Sequence, residues 1–424
     1  MSPDNPVEDQ TVKDDKFFTK PIIIIFLTIV IDLIGFGIFI PVLPFYATGE
    51  PFNATPFQLG LLIASFSVMQ FIFSPVLGSL SDKYGRRPVL FVSLLGTATG
   101  FFIVGFATTL WMVFAGRVLD GITGGNISAA QAYIADITTK RNRAKGMGLI
   151  GAGFGVGFVL GPALGGILSK YGNHVPFFFA GGMALINAVA LYFFLPESLK
   201  KNGTTKQVRE LNRVAEILNS LREPSFRTVI VVYFLIVVGF TIMTTSFSLY
   251  TKVRFGYNAE QSGYLFTFVG VLAILIQGGL FGRLVAVLGE AKLVVIGCLL
   301  LTGSLFAVPY VGPEYGGLVG LLIGTAFFSI GNSLASPALT SLASKNAADH
   351  DQGKALGVLQ SGSSLARAIA PVIAGYLLNN ALGQIDNSTI RATYWTAAAI
   401  MLAACLVAIF FWRSQGIGES NVFS

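Results

Sequence analysis

Four ionisable side chains lie deep inside long apolar stretches of this chain: Asp32, Arg117, Asp120 and Arg367. A charge at the centre of a membrane helix costs roughly 2.5 to 3.5 kcal/mol on insertion scales, so such residues are rare and usually functional. A carboxylate at that depth can hold a proton in apolar surroundings and release it when water reaches it. The positions therefore predict proton chemistry or charge pairing inside a membrane.

The composition indicates that most of the chain lies in a membrane. Hydrophobic residues make up 53% of it and charged residues 12%, which is too few to cover a soluble globule of 424 residues. A membrane-spanning helix needs about 20 apolar residues. The hydropathy pattern predicts an all-α membrane protein with twelve spans, approximately 20–46, 56–80, 88–107, 110–133, 145–169, 175–195, 228–251, 260–287, 293–310, 316–342, 353–378 and 393–412.

The basic residues fall mostly on one side of the predicted membrane. Of the Lys and Arg residues, four lie in the loops opposite the termini and two lie inside spans. All the others lie on the side of the membrane that carries both termini. The net charge of +7 therefore reflects topology rather than a nucleic-acid partner. Under the positive-inside rule both termini are expected in the cytoplasm, with the protein in the plasma (inner) membrane. The first 19 residues show no pattern of a cleaved signal peptide.

Two sequence features recur in the second half of the chain. The charged turn at 78–87 returns in outline at 282–289, and Lys145, Gly148, Gly153, Pro162 and Gly166 return as Lys354, Gly357, Gly362, Pro371 and Gly375. Such recurrence predicts a duplicated membrane unit. The expected organisation is a tail (1–19), a six-helix bundle (20–195), a linker (196–227), a second six-helix bundle (228–412) and a tail (413–424). Apolar spacing within the linker predicts an amphipathic helix over 208–221.

Depth places three of the buried charges in one layer of the predicted membrane. Asp32 is 12 residues beyond Lys20, about 18 Å into a core about 30 Å thick. Arg117 lies about 9 Å below the opposite edge of the membrane core, and Asp120 lies roughly one helical turn deeper. We predict that Asp32 binds the coupling proton with Arg117 nearby. The alternatives are that Arg117 and Asp120 form a structural ion pair, or that Asp32 binds the substrate.

Polar and aromatic residues within the spans predict a central cavity. A face of the fourth span carries small and polar residues and is expected to line water rather than lipid; it comprises Arg117, Asp120, Gly121, Gly124, Ser128 and Gln131. The other predicted cavity residues suit a hydrophobic or amphipathic ligand; they are Phe36, Phe240, Phe247, Phe266, Phe327, Gln277, Asn332 and Gln360. For each aromatic residue, packing in the core is the alternative.

The fifth span carries a glycine stripe. Gly153, Gly157 and Gly161 recur every four residues before Pro162, which predicts close approach of another helix and a bend. These residues form a predicted hinge with Gly362 and Pro371; helix packing alone is the alternative. A dinucleotide site needs a strand–turn–helix context, and no G-x-x-x-x-G-K-[ST] sequence occurs. We therefore expect neither a cofactor nor ATP as the energy source.

Several segments resemble the major facilitator superfamily. Residues 78–87 (Gly-Ser-Leu-Ser-Asp-Lys-Tyr-Gly-Arg-Arg) match its loop signature between helices 2 and 3, and residues 153–166 resemble the G-x-x-x-G-P-x-x-G-G signature of its proton-driven exporters. Residues 32–44 and 116–124 resemble the drug:proton antiporters with twelve spans, especially the tetracycline exporters. The resemblance implies two pseudo-symmetric six-helix bundles and transport by alternating access. Spans 3 and 9 lack the acidic residues of tetracycline exporters, which argues against a tetracycline–metal chelate as substrate.

The resemblance also implies a cytoplasmic gate. Its predicted members are charged and glycine residues at helix ends that latch the two halves together; they are Gly78, Asp82, Gly85, Arg86, Arg87 and Asp136. Arg367 has no evident carboxylate partner within the spans of its own half of the chain. It is expected either to bond backbone carbonyls freed near Pro371 or to contact an anionic substrate.

These features together predict a proton-coupled exporter of small hydrophobic or amphipathic compounds, with antibiotic efflux as the nearest known role. The alternatives are a facilitator or uniporter of a metabolite, and a lipid-translocating or non-transporting protein of the same fold. We expect no enzymatic activity, no nucleic-acid partner and a monomer in the bilayer. We also expect no metal site, since His174 and His350 are isolated and Cys298 and Cys405 lie within apolar spans.

Overall fold

The computed structural model describes residues 18–139, 142–199, 224–345 and 352–420. Within those ranges the chain is helical, with fourteen α-helices: α1 (Lys20–Thr48), α2 (Pro56–Tyr84), α3 (Arg86–Gly105), α4 (Leu110–Thr123), α5 (Asn126–Ile137), α6 (Arg143–Ser169), α7 (Val175–Phe194), α8 (Pro224–Phe255), α9 (Ala259–Leu275), α10 (Phe281–Leu288), α11 (Glu290–Ala307), α12 (Gly317–Lys345), α13 (Gln352–Leu377) and α14 (Asn387–Ser420). The predicted amphipathic helix over 208–221 and most of the predicted tail 1–19 lie outside the described residues. The predicted domain boundaries stay a prediction.

The helices form the twelve predicted spans. Ten helical stretches in the described ranges are long and apolar enough to cross a membrane. The fourth span consists of α4 and α5, and the eleventh is α13, whose apolar sequence is diluted by Gly, Ser and Arg367. The eighth span consists of α9, a π-helical turn (Ile276–Leu280) and α10. The last helix continues to Ser420, beyond the predicted end of the span at residue 412.

The prediction of one continuous helix for the fourth span is wrong. The helix ends at Thr123 and restarts at Asn126, with Gly124 and Gly125 between the two parts. Two consecutive glycines weaken a helix because each costs about 1 kcal/mol relative to Ala. The Gln70 side chain of α2 donates a hydrogen bond of 2.8 Å to the Gly124 carbonyl oxygen, so the break does not leave that group unpaired.

Glycines allow helices to touch backbone to backbone within each half. An added Cβ on Gly37 of α1 would lie 2.5 Å from the Gly157 carbonyl oxygen and 2.9 Å from the Gly161 Cα of α6. In the second half, a Cβ on Gly297 of α11 would lie 2.6 Å from the Gly331 carbonyl oxygen of α12. Since lipid gives little drive for helix association, such close approach is a main source of packing energy. The predicted close packing of the α6 stripe is confirmed.

The two halves make their closest backbone contacts near one end of the bundle. We call the end that carries Gly85 and both ends of the described chain the inner end, and the opposite end the outer end. Near the outer end, a Cβ on Gly60 of α2 would lie 2.3 Å from the Pro371 carbonyl oxygen of α13, and one on Gly263 of α9 would lie 2.7 Å from the Pro162 carbonyl oxygen of α6. We call these two contacts the outer junctions. Lys170 and Glu260 form an ion pair of 2.9 Å beside the second.

Towards the inner end the same helices separate. An added Cβ on Gly148 or Gly151 of α6 would meet nothing within 4 Å, and the same holds for Gly357 and Gly362 of α13. Their counterparts nearer the outer end, Gly166 and Gly375, touch the opposite half. Among the described residues, the space between the halves is therefore closed at the outer end and open at the inner end.

Candidate functional site

Arg117 and Asp120 form a buried ion pair beside the break in the fourth span. The Arg117 Nη1 atom donates to the Asp120 Oδ2 atom over 2.7 Å, and only 3% and 6% of the two residues are exposed. The guanidinium lies between two rings, 4.0 Å from the Phe39 centroid and 4.3 Å from the Phe66 centroid. Pairing and cation–π contact together offset the desolvation of both charges. The ion pair that the sequence offered as an alternative is therefore present.

Asp32 projects from the middle of α1 towards the same break. Its carboxylate interacts with the side-chain amide of Asn126, the first residue of α5, and lies within the field of Asp120. Within the described ranges Arg117 forms its ion pair with Asp120 rather than with Asp32. Arg117 therefore acts on Asp32 only through the charge of Asp120, not by the direct proximity that the sequence predicted. Asp32 is half-buried.

Asn126 is a site residue that sequence reasoning missed. It lies 4% exposed, and its Oδ1 atom has no hydrogen-bond partner. The break at Gly124–Gly125 carries Asn126 into position, and the sequence signal for it was present, because Gly125-Asn126 recurs as Gly331-Asn332. Thr97 of α3 is a second missed residue, since its side chain interacts with Asp120.

The predicted water-lining face of the fourth span is partly wrong. Gly121 and Gly124 pack against α2, where added Cβ atoms would lie 2.5 Å from the Phe66 carbonyl oxygen and 3.2 Å from the Phe66 ring. Ser128 donates to the Gly125 carbonyl oxygen over 2.7 Å. Gln131 is exposed. The break rotates these residues out of the single face that a continuous helix would give them.

A line of aromatic rings crosses from the first half to the second. The Phe36 and Phe158 centroids are 6.3 Å apart, those of Phe158 and Phe240 are 6.5 Å apart, and those of Phe240 and Phe328 are 5.5 Å apart. The sequence predicted Phe36 and Phe240 as cavity residues, whereas Phe158 and Phe328 were missed. These four residues, which we call the aromatic line, join both halves.

Two other predicted cavity aromatics belong to the core instead. Phe247 and Phe266 lie 5.2 Å apart and are 0% and 6% exposed. Phe247 also contacts Tyr250, which is fully buried and donates to the Val308 and Val311 carbonyl oxygens. Their assignment to the cavity is wrong, because sequence alone does not show which face of α8 or α9 points inward.

The polar residues predicted in the second half are spread along three helices. Gln277 lies in the π-helical turn and its Nε2 atom donates to the Ser333 hydroxyl over 3.4 Å. Asn332 is half-buried and Gln360 is exposed. Arg367 donates from Nη1 to the Ser363 hydroxyl over 2.7 Å and from Nη2 to the Ser364 hydroxyl over 3.3 Å. These bonds go to hydroxyls rather than to the carbonyls near Pro371 that the sequence suggested.

The predicted gate residues form an ionic cluster at the inner end of the first half. Arg86 pairs with Asp82 at 2.5 Å and with Asp136 at 3.1 Å. All three lie in the first half, in α2, α3 and α5, so in the conformation described, which is open at the inner end, these ion pairs stay within one half. The predicted latch between the halves stays a prediction. The predicted member Gly78 lies nearest the Ser128 hydroxyl, 3.9 Å from an added Cβ.

Glu197 completes this cluster and was missed by sequence reasoning. Its carboxylate accepts backbone N–H bonds from Arg86 (2.9 Å) and Arg87 (3.1 Å), which stabilises the N-terminus of α3. Gly85 precedes that helix with φ 109, a conformation that favours glycine. The Arg87 side chain also donates to the Tyr192 carbonyl oxygen.

The predicted hinge residues differ in their surroundings. Gly153, Gly157 and Gly161 face α1, and Pro162 contributes its carbonyl to an outer junction, as Pro371 does in the second half. Gly362 would meet nothing within 4 Å if it carried a Cβ. Gly362 is nevertheless buried, so the structure gives it space for a side chain but no close helix contact in that direction.

Comparisons with known proteins give one consistent family. The sequence model of the family described as "Major Facilitator Superfamily" matches residues 25–323 and 278–421. The chain is 32% identical over 405 residues to the tetracycline resistance protein, class H, of Pasteurella multocida, covering 93% of this chain and 97% of the relative. It is 32% identical over 365 residues to multidrug resistance protein 2 of Bacillus subtilis (strain 168), covering 85% and 89%.

Among solved structures, the human organic anion transporter MFSD10 (TETRAN) resembles the chain throughout. The two share 26% identity with a TM-score of 0.67, over 92% of this chain and 99% of the other.

Proposed function

The chain belongs to the major facilitator superfamily, and from that premise we propose that it exports small hydrophobic or amphipathic compounds in exchange for protons. As a member of that family it is an integral, multi-pass membrane protein that transports small molecules, and not an enzyme. The relatives named for tetracycline and multidrug resistance support export as the direction. The expected location is the plasma (inner) membrane, with both termini in the cytoplasm.

The single observation that carries proton coupling is the setting of Asp32. This carboxylate lies halfway along a spanning helix and, in the described part of the chain, takes part in none of the ion pairs. The nearby carboxylate of Asp120 is already paired with Arg117. Asp32 is thus the carboxylate in this layer whose charge can change without breaking a buried ion pair. Removing one partner of such a pair costs about 3 to 5 kcal/mol.

The open inner space gives Asp32 a route for its proton. In the conformation described, the outer junctions close one end and the helices separate at the other. A proton taken up while the outer end is open would leave through the inner end, and a substrate would leave in the opposite direction in the next half-cycle. Each inward charge contributes about 2.3 kcal/mol per 100 mV of membrane potential. The Arg117–Asp120 pair would hold the broken fourth span in place while Asp32 titrates.

Transport in proteoliposomes tests the proposal. Purified wild-type protein, Asp32→Asn and the control Glu314→Gln, which changes an exposed loop carboxylate, are assayed with tetracycline, ethidium and a neutral dye under an imposed pH gradient. We expect wild type and Glu314→Gln to accumulate at least one compound against its gradient. Asp32→Asn should lose accumulation but keep gradient-free exchange.

The alternatives give different results in the same assay. A facilitator would equilibrate the compound at the same rate with and without the pH gradient. A lipid-translocating or non-transporting protein would tolerate Asp32→Asn and show no gradient dependence. Undiminished uphill accumulation by Asp32→Asn would contradict the proton role directly.

A further inference from the structure

Arg367 carries a charge in the membrane that no acidic residue of its own half neutralises. In the described part of the second half the acidic residues lie at helix ends or in loops; they are Glu260, Glu290, Glu314, Asp386 and Glu419. The described partners of the guanidinium are the hydroxyls of Ser363 and Ser364. A buried cation with only neutral partners is costly, so it is retained where a function requires it.

The Arg367 side chain lies on a polar face of α13. Gln360, Ser363, Ser364 and Arg367 follow one another at helical spacing, and Gln360 is exposed. Arg367 itself keeps partial exposure although it lies 10 residues from the outer end of α13. The exposure of Gln360 and the partial exposure of Arg367 indicate that this polar face reaches open space on the inner side of the outer junction that Pro371 forms with Gly60. Tyr233 of α8 is near enough to interact electrostatically with the guanidinium.

Arg367 and Asp32 lie in the same layer, one in each half. The two outer junctions provide a common reference, because Pro162 and Pro371 occupy equivalent places in the repeat. Gly37 of α1 packs at the level of Pro162, and Asp32 is five residues further inward, about 7.5 Å. Arg367 is four residues inward of Pro371, about 6 Å. Both charges therefore lie just beneath the closed outer end, within about 2 Å of the same depth.

We propose that Arg367 is the anion-binding residue of the transport cavity, and that the substrate is an amphipathic carboxylate. The inference rests on the proposed function, in that the gap between the halves is the transport path. A guanidinium has five N–H donors, and the two serines accept from two of them. The remaining donors can bind both oxygens of one carboxylate. The apolar body of the substrate would lie against the aromatic line, which crosses both halves.

Three dyes with one apolar body and different charges test this proposal. The dansyl amide of 6-aminohexanoate is a carboxylate, its methyl ester is neutral and dansylcadaverine is a cation. Dissociation constants are measured by dansyl fluorescence on purified full-length protein in detergent, at pH 7 and without any gradient. We expect the carboxylate to bind about 10- to 100-fold more tightly than the ester, as charge-assisted hydrogen bonds do.

Variants at Arg367 locate the site. Arg367→Gln should raise the Kd of the carboxylate to that of the ester, and Arg367→Lys should give an intermediate value because it keeps the charge but not the fork. Arg391→Gln, which removes an exposed arginine at the outer end, is the control and should change nothing. Thermal unfolding of each variant checks that it is folded, and the ranking of the dyes on wild type needs no variant.

The outcomes separate this proposal from the proposed function. Equal affinity for the three dyes, no saturable binding of the carboxylate, or an undiminished preference in Arg367→Gln overturns the anion site. Loss of proton coupling in the liposome assay would leave these binding results unchanged, since binding is measured without a gradient. Conversely, a failed anion site leaves Asp32 free to couple protons to another substrate.

Discussion

The outer junctions should control which end of the transporter is open. An added methyl group at Gly60 would lie 2.3 Å from the Pro371 carbonyl oxygen and 3.1 Å from the Gly375 Cα. Neither contact is with a flexible side chain, so the backbones of α2 and α13 must separate. Gly60→Ala should therefore destabilise the conformation closed at the outer end. Gly263→Ala should do the same at the second junction, where the added methyl group would lie 2.7 Å from the Pro162 carbonyl oxygen.

The size of the shift follows from the cost of overpacking. Extra methyl groups in a packed interface cost about 1 to 3 kcal/mol, which changes the ratio of two conformations by about 5- to 150-fold. If about nine-tenths of the wild-type molecules were closed at the outer end, this change would lower the closed fraction to between about two-thirds and about one-twentieth. The two changes lie in separate junctions, so their effects should add in the double variant.

Spin labels in the outer loops measure this shift. Tyr171→Cys and Tyr315→Cys place labels at positions 75% and 70% exposed, one in each half, while Cys298 and Cys405 are buried. Double electron–electron resonance should show a longer distance gaining population in Gly60→Ala. Gly182→Ala is the matched control, because its methyl group would meet nothing within 4 Å. If Gly60→Ala and Gly182→Ala gave the same distance distribution as wild type, the reasoning from the junctions would be refuted.

Three further changes test other contacts, each by thermal unfolding of the purified protein. Gly37→Ala should lower stability by about 1 to 3 kcal/mol, since its methyl group would lie 2.5 Å from the Gly157 carbonyl oxygen; an unchanged melting temperature would contradict this. Glu197→Gln should cost about 1 kcal/mol by weakening the cap of α3, and equal stability at low and high salt would argue against a charge effect. Hydrogen bonds from the Ser388 hydroxyl, and then from backbone N–H groups, hold the pKa of Asp386 well below its usual range. Asp386→Ala should therefore be less stable than wild type at pH 7, with the difference shrinking only as the pH falls below about 4; a constant difference down to pH 2 would contradict this.

Much of the architecture could be predicted because it depends on local signals. Apolar runs gave the positions of the spans, and the recurrence of Pro162 and Gly166 as Pro371 and Gly375 indicated equivalent helices. Their partners in the opposite half, Gly60 and Gly263, could not be inferred. Which helices meet across the two halves depends on tertiary packing, and isolated glycines carry no signal for it.

The site was predicted less completely, for two physical reasons. A helical wheel assumes a continuous helix, so the break at Gly124–Gly125 misplaced the polar face and hid Asn126. Aromatic residues are apolar on every face of a spanning helix, so Phe247 looked like Phe240, although the first packs in the core and the second belongs to the aromatic line. The burial of Arg117 and Asp120 could be predicted because each charge stands out against apolar neighbours.

Proton movement driven by substrate tests the role of Asp32 most directly. Proteoliposomes containing the internal pH dye pyranine are given an outward gradient of a compound that wild-type protein accumulates, with no initial pH gradient. Wild type and Glu314→Gln should acidify the lumen as substrate leaves, whereas Asp32→Asn should exchange substrate without a change in pyranine fluorescence. Acidification by Asp32→Asn at the wild-type rate would show that the coupling proton binds elsewhere.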